Sequence, residues 1–169
     1  MGWLGHTEFN SLRDLYVHQL EDLYDAEKRL VAALGKMAQT AQADDLRQAL
    51  TEHQRQTEGH VGRLEQIFQM MGRRPERETC QAMKGLIGEG EEMIEARGDT
   101  HVRDAALIGA AQRVEHYEIA AYGTARSHAR TLGFNDQAQL LQQTLEEEGE
   151  TDKRLTSIAE THVNREAEA

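Results

Sequence analysis

Apolar side chains recur every three or four residues through four long stretches of this chain. In the first stretch these residues fall on one side of a helix: Leu12, Tyr16, Leu23, Leu30, Leu34 and Met37. This period indicates amphipathic α-helices, whose apolar sides must pack against one another. Only 1 proline interrupts the 169 residues, and the helix-forming residues Ala, Leu, Glu, Gln and Arg are abundant. An all-α fold is therefore predicted.

Turn and cap residues set the predicted helix boundaries. Long helices are expected over about 8–41, 44–72, 100–132 and from 135 onward, with 165–169 frayed. Asp44, Asp45 and Asn135 are the predicted N-caps. The long link 73–99 carries a short helix, roughly 80–97, which its glycines should weaken.

The unequal links predict how the helices are arranged. Short links make neighbouring helices antiparallel, whereas a long link allows a crossover along the bundle. We predict a ferritin-like four-helix bundle with a long crossover that carries a short helix between helices two and three. It forms one domain, 1–169, with its core at about 8–164. An extended solenoid is a weaker alternative, because no repeat of suitable length is evident.

Two carboxylates interrupt the apolar side of the third long helix. Glu115 and Glu118 are three residues apart, so they point in nearly the same direction as Leu107, Val114 and Tyr122. A buried carboxylate without a partner is costly, so a helix that turns Glu towards a core needs a charge to pair with it. Metal ions are one such partner in four-helix bundles.

Each of the four long helices places a residue of this kind on its apolar side. The candidate metal ligands are Glu27, His53, Glu115, Glu118, Glu148 and Asp152. An oxygen-rich site with some nitrogen suits iron or manganese, and carboxylates can bridge two such ions. Against this, a lone Glu on a helix is usually solvated, and a lone buried His usually only makes hydrogen bonds. The occurrence of such a residue on all four long helices favours a metal site over solvated or merely hydrogen-bonded side chains.

The spacing departs from the usual two-metal pattern. Such bundles carry Glu-x-x-His on two helices. Here His60 has Thr57 in place of the Glu, and Glu148 has Thr151 in place of the His. The sequence therefore predicts a variant site, either weaker than usual or limited to one ion.

Charge and cysteine content restrict the other classes of function. The net charge of −11 argues against nucleic-acid binding, which needs clustered Lys and Arg. A single cysteine, Cys80, permits no intramolecular disulfide and fits a reducing cytoplasm. No secretory leader and no membrane span are predicted.

Several segments resemble one known family. They are 15–16, 19–27, 63–68, 79–83, 104–108, 114–123 (VEHYEIAAYG) and 144–148. These segments resemble the YciF/YciE family of bacterial stress proteins over about residues 12–164. The resemblance implies a rubrerythrin-related, ferritin-like bundle, a cytoplasmic homodimer, a role in stress, and a metal site at the six candidate residues.

Two hypotheses of function follow. The first is a metal-binding stress protein, whose iron or manganese site would reduce peroxide or oxidise ferrous iron. The second is a non-enzymatic helical dimer, in which the inward Glu and His residues form hydrogen-bonded or ion-paired networks. The sequence leaves open whether any reaction is catalysed. A storage cage like ferritin is less well supported, because nothing in the sequence indicates a shell.

Overall fold

The structure is a computed structural model that describes residues 7–169. Its helices are α1 (Leu12–Thr40), α2 (Asp44–Met70), α3 (Gln81–Glu95), α4 (Thr100–Thr131), α5 (Asn135–Ile158) and α6 (Asn164–Glu168), with a π-helical turn at Ala159–Val163. The described part of the chain contains no β-strand. The predicted all-α class is confirmed, although residues 1–6 of the predicted domain lie outside the described residues.

The four long helices pair as two hairpins, α1 with α2 and α4 with α5. Helix α1 also packs against α4, α2 against α5, and α3 against both α1 and α4. Asp104, at the start of α4, accepts backbone hydrogen bonds from Gln42 and Ala43, just after the end of α1. Tyr16, near the start of α1, donates to Gln137 near the start of α5. Helices α1 and α4 are therefore antiparallel, and the predicted crossover between α2 and α4 is confirmed.

The helix caps differ from the predicted ones. Helix α1 begins at Leu12 rather than near Glu8, because the Ser11 side chain accepts the Asp14 N–H at 3.1 Å and caps it. Asp44 and Asn135 are not N-caps but the first residues of α2 and α5. Carboxylates in a first helical turn still interact favourably with the helix dipole, which explains the acidic residues there.

The start of α2 is capped from a distant part of the chain. Ala43 occupies the N-cap position and makes no side-chain cap bond. The Asp104 carboxylate accepts the N–H groups of Gln42 at 2.9 Å and Ala43 at 2.7 Å instead. Asp45, also predicted as a cap, lies in the first turn of α2, where its carboxylate accepts the Leu46 N–H at 2.9 Å. A tertiary contact at Ala43 and this carboxylate together replace the predicted N-cap bond.

The segments predicted to be weak are helical. Helix α3 is continuous over Gln81–Glu95 despite its glycines, and it buries Met83 and Gly90. A Cβ at Gly90 would lie 4.0 Å from the Ala110 Cβ, an ordinary van der Waals contact, so the packing of α3 on α4 does not require glycine there. Residues 164–168, predicted to be frayed in part, form α6, which packs on α4. Packing therefore outweighs the low helix propensity of the glycines in α3 and opposes fraying of the last residues.

Two apolar clusters fill the bundle on either side of a polar layer. One contains Leu34, Leu46, Leu107, Leu155 and Val163, all at most 1% exposed. The other contains Tyr16, Leu20, Leu64, Phe68 and Leu141. The metal-capable residues lie between these clusters along each long helix. None of the helices within residues 7–169 is long and apolar enough to cross a membrane.

Candidate metal centre

The polar layer holds two groups of potential metal ligands. In each group the ligand atoms lie within 4.8 Å of one another. The first group is His53, Glu115, Glu118 and Glu148, and the second is Glu27, His60 and Glu148. All six side chains are buried, and five of them are 0% exposed. Because Glu148 belongs to both groups, the two form one continuous centre.

The first group is built around the imidazole of His53. Its Nε2 atom lies 3.0 Å from Glu115 Oε1 and 3.7 Å from Glu148 Oε2. Its Nδ1 atom lies 3.4 Å from the Thr151 hydroxyl. In the tautomer whose Nδ1–H donates to this hydroxyl, the Nε2 lone pair faces the carboxylates, as metal-ligating histidines require.

The second group is built around His60. Its Nδ1 atom lies 3.0 Å from Glu148 Oε1 and 3.5 Å from Glu27 Oε1. Its Nε2 atom lies 2.8 Å from the Glu147 carboxylate, to which the ring N–H donates. Glu147 is in turn held by Arg63 through contacts of 2.8 and 2.7 Å. This carboxylate–histidine arrangement orients Nδ1 towards the centre.

The donor atoms of the centre lack hydrogen-bond partners. Among the described residues, eleven buried side-chain nitrogen or oxygen atoms have none, and nine of these belong to the centre. They include both carboxylate oxygens of Glu115, Glu118 and Glu148, and one ring nitrogen of each histidine. Native proteins satisfy nearly all buried polar groups, so such a concentration requires an explanation. Four carboxylates and two imidazoles form a donor set that fits iron or manganese.

Burial shifts the protonation equilibria of these groups. Desolvation raises the pKa of Glu115 to about 8 and raises the pKa of Glu118 well above its usual value. It also raises the pKa values of Glu27 and Glu148, and it lowers the pKa of His53. The carboxylates are therefore costly to ionise without a cation, whereas His53 is held in the neutral form that binds metals.

His60 behaves differently from His53. Burial alone would lower its pKa, but the neighbouring Glu148 and Glu27 carboxylates raise the pKa of His60 to about 11. The ring thus binds a proton in the absence of another cation. A metal ion would replace this proton on Nδ1, so metal binding should release protons.

A tyrosine fixes the carboxylate of Glu27. The Tyr122 hydroxyl donates a hydrogen bond to Glu27 Oε1, and both side chains are buried. The other oxygen, Oε2, has no partner. Tyr122, which the sequence pattern placed on the apolar side of its helix, therefore orients one ligand while leaving its second oxygen free for an ion.

The predicted ligand Asp152 lies in neither group. Its carboxylate accepts a hydrogen bond of 3.0 Å from Gln112 and lies 3.3 Å from His116 Nε2. Both partners are on α4, and the Asp152 side chain is 21% exposed. Along α5, Glu147 and Thr151 face α2 whereas Asp152 faces α4. The structure thus brings together five of the six predicted residues.

His60 joins the centre although the sequence pattern did not predict it. It was set aside because Thr57 occupies the position where Glu-x-x-His requires Glu. A simpler signal was available: His53 and His60 are seven residues apart, which is two helical turns, so they share one face of α2. Glu147, which was not among the predicted ligands, supports His60.

Comparison with known proteins gives close relatives over nearly the whole chain. The chain is 45% identical to the protein YciF of Escherichia coli (strain K12), over 94% of this chain and 96% of the relative. The crystal structure of the E. coli stress protein YciF superposes with a TM-score of 0.89 at 44% identity, covering 92% of this chain and 99% of that one.

Two further structures share the fold. YcfI, described as a putative structural protein from Rhodopseudomonas palustris, has a TM-score of 0.86 at 39% identity and covers 89% of this chain and 96% of that one. A protein from Xanthomonas campestris has a TM-score of 0.74 at 21% identity, with 94% and 97% coverage. The model of the family described as a domain of unknown function, DUF892, matches residues 11–168. The chain therefore belongs to the DUF892 family and is a YciF-like protein.

Proposed function

We propose that this protein is a ferritin-like metal-binding protein that holds a pair of iron or manganese ions in the polar layer of its bundle. One observation carries the proposal: nine buried donor atoms of six residues lack hydrogen-bond partners within the described chain and face a common centre. The 3.0 Å contacts of His53 Nε2 with Glu115 and of His60 Nδ1 with Glu148 can pair only two of the carboxylate oxygens. A purely structural network would pair the others as well, because unpaired buried polar atoms cost free energy.

The ligand chemistry supports two ions rather than one. The first group offers one nitrogen and three carboxylates, and the second offers one nitrogen and two carboxylates. Glu148 belongs to both, and a carboxylate shared in this way is the usual bridge between two ions. Hard oxygen ligands with imidazole suit iron and manganese better than soft metals.

Surrounding residues orient the ligands of the proposed metal site. Bound iron or manganese would pass two electrons from ferrous iron to peroxide, which with two protons becomes two waters. Glu147 and Arg63 hold His60, Thr151 contacts His53, and Tyr122 holds Glu27. The apolar clusters on both sides limit access of water to the layer. These contacts fix the ligand orientations before an ion arrives, which lowers the cost of binding.

The relatives support a role in stress. The E. coli relative is described as a stress protein. We propose that this chain acts in stress as well, as a cytoplasmic homodimer whose metal site handles peroxide or iron. The homodimer and the cytoplasmic location are implied by the family resemblance.

A second candidate is a non-enzymatic structural role. The R. palustris relative is described as a putative structural protein. In this case the inward Glu and His residues would stabilise the bundle through their own protons and hydrogen bonds. Such a network would stabilise the protein to the same extent with and without metal.

Elemental analysis separates the two candidates. Protein purified without chelator and reconstituted with ferrous iron or manganese should hold about two ions per chain. Glu148→Ala should lose both ions, because Glu148 serves both groups. Asp152→Ala is the matched control: it removes a carboxylate from the same helix outside both groups, so it should keep both ions. Less than about a tenth of an equivalent in the wild type would contradict the metal-binding function.

A further inference from the structure

Helices α2 and α5 each carry a threonine where the usual two-metal bundle carries a ligand. That bundle takes Glu and, three residues later, His from each of two helices. In α2, His60 is present but Thr57 replaces the Glu. In α5, Glu148 is present but Thr151 replaces the His. In the usual bundle, position 151 of α5 would therefore carry a histidine whose ring nitrogen binds the metal.

The ring of His53 reaches this point from the neighbouring helix. Its Nδ1 atom lies 3.4 Å from the Thr151 hydroxyl, and both side chains are buried. Its Nε2 atom lies 3.0 Å from Glu115 Oε1 and 3.7 Å from Glu148 Oε2. One imidazole thus contacts position 151 through one nitrogen and the carboxylates of α4 and α5 through the other.

We propose that His53 replaces the missing histidine of α5, so that α2 supplies the nitrogen ligand that a histidine at position 151 would supply. This inference rests on the metal-binding function proposed above and assigns the origin of one ligand within it. Thr151 is then a positioning residue: its small side chain makes room for the ring, and its hydroxyl orients Nδ1. Both nitrogen ligands come from α2, and the carboxylates come from α1, α4 and α5.

The hydrogen bonding of His53 supports a ligand role. A histidine buried only for packing normally pairs both ring nitrogens. Here Nδ1 has the Thr151 hydroxyl, while Nε2 has no hydrogen-bond partner although carboxylate oxygens surround it. The free nitrogen is the one that faces the centre.

The test moves the histidine back to α5. Manganese or cobalt per chain is measured by equilibrium dialysis and elemental analysis at saturating ion. Wild type should hold about two ions, His53→Ala about one, and His53→Ala with Thr151→His about two again. The matched control is His60→Ala with and without Thr151→His. His60→Ala should hold about one ion, and adding Thr151→His should not restore the second ion, because position 151 contacts His53 and not His60.

A second variant tests the positioning role without moving a ligand. Thr151→Val keeps the volume and removes the hydroxyl, so it should weaken ion binding about tenfold, as loss of a residue that orients a ligand does. Circular dichroism confirms folding of every variant, and His53→Gln replaces His53→Ala if the alanine variant does not fold.

Three results would overturn the inference while leaving the metal site intact. They are retention of two ions by the His53 variant, failure of Thr151→His to restore the second ion in a folded protein, and equal rescue of the His60 variant. A wild-type chain that binds no ion would instead overturn the proposed function itself.

Discussion

Two buried acidic regions of this bundle differ in how their charge is balanced. Asp25, which is 2% exposed, is paired with Arg29, Arg77 at 2.7 Å and the backbone N–H of Cys80 at 2.9 Å. The carboxylates of the polar layer are equally buried, but most of their oxygens have no hydrogen-bond partner in the described chain.

This contrast separates buried charge that stabilises the fold from buried charge that is available to bind a ligand. Asp25 joins the segment after α2 to α1, and each contact that it makes is internal to the fold. Glu115, Glu118 and Glu148 together present six oxygens, of which only two lie within 3.0 Å of a histidine nitrogen, so the others need an added proton or cation. Burial alone does not distinguish these two cases; the completeness of the hydrogen bonding does.

Loss of the paired Asp25 carboxylate should lower the stability of the protein more than the other substitutions below. Asp25→Ala should lower the free energy of unfolding by about 3–5 kcal/mol, because it removes the charged acceptor of three hydrogen bonds, one of them from the buried Cys80 N–H. Urea unfolding measures the change. Glu52→Ala is the control, since its pair with Arg154 is exposed and its loss should have no measurable effect. A small change in the Asp25 variant would show that this region is not a structural anchor.

Metal ions should stabilise the protein through the carboxylates of the polar layer and not through Asp25. Manganese at about 100 times its dissociation constant should add about 2.7 kcal/mol per site to the free energy of unfolding. Glu115→Ala and Glu118→Ala should reduce this gain, whereas Asp25→Asn should retain it. Thermal unfolding with and without manganese measures both. Equal stability of all variants with and without metal would favour the structural candidate.

A neutral residue should suit the ion-free centre better than a carboxylate. Glu118 is fully buried with both oxygens unpaired. Glu118→Met should therefore raise the free energy of unfolding of chelator-treated protein by about 1–3 kcal/mol while it weakens metal binding. Asp25→Met, by contrast, should destabilise the protein. Destabilisation by both substitutions in urea unfolding would mean that the two regions do not differ.

The smallest effect is a pH dependence of opposite sign in the two regions. Burial raises the pKa of Glu115 from 4.5 to about 8, so its contribution to stability is present below pH 4.5 and is lost as the pH rises towards 8. The Asp25 pKa is lowered: although burial acts to raise it, hydrogen bonds from Arg29, Cys80 and Arg77 outweigh burial. Its contribution is therefore present above pH 3.8 and is lost as the pH falls below that value.

Chelator-treated protein should thus become less stable between pH 5 and pH 8, by about 1 kcal/mol or more. Glu115→Gln should flatten this part of the profile. Wild type and Asp25→Asn should instead converge in stability below about pH 4. Thermal unfolding across the pH range measures both trends, and a Glu115→Gln profile as steep as the wild-type one would contradict the assignment.

The sequence predicted the bundle well because helix periodicity is local. The four long helices and the crossover helix lie close to their predicted bounds. The caps were less predictable, since Asp104 caps α2 from α4 and no local pattern encodes that contact. For the same reason α3 forms a continuous helix through its glycines, stabilised by packing that the sequence does not display.

The sequence pattern predicted that glutamate and histidine residues form the candidate centre, but it did not predict every residue that lies there. Glu27, His53, Glu115, Glu118 and Glu148 came from their positions on apolar faces. His60 was missed because a fixed motif was required at Thr57, and Asp152 was included because its rotation around α5 towards α4 is visible only in three dimensions. Contacts between helices, such as the one between His53 and Thr151, cannot be predicted from the periodicity of a single helix.

The unpaired donors of the polar layer are proposed to bind two metal ions. Crystals of the protein loaded with manganese, measured on both sides of the manganese absorption edge, would locate these ions. We expect two anomalous peaks in the layer, one beside Glu27 and His60, the other beside His53 and Glu115, with Glu148 between them. A fully ordered layer with no anomalous peak at saturating manganese would rule out the metal centre.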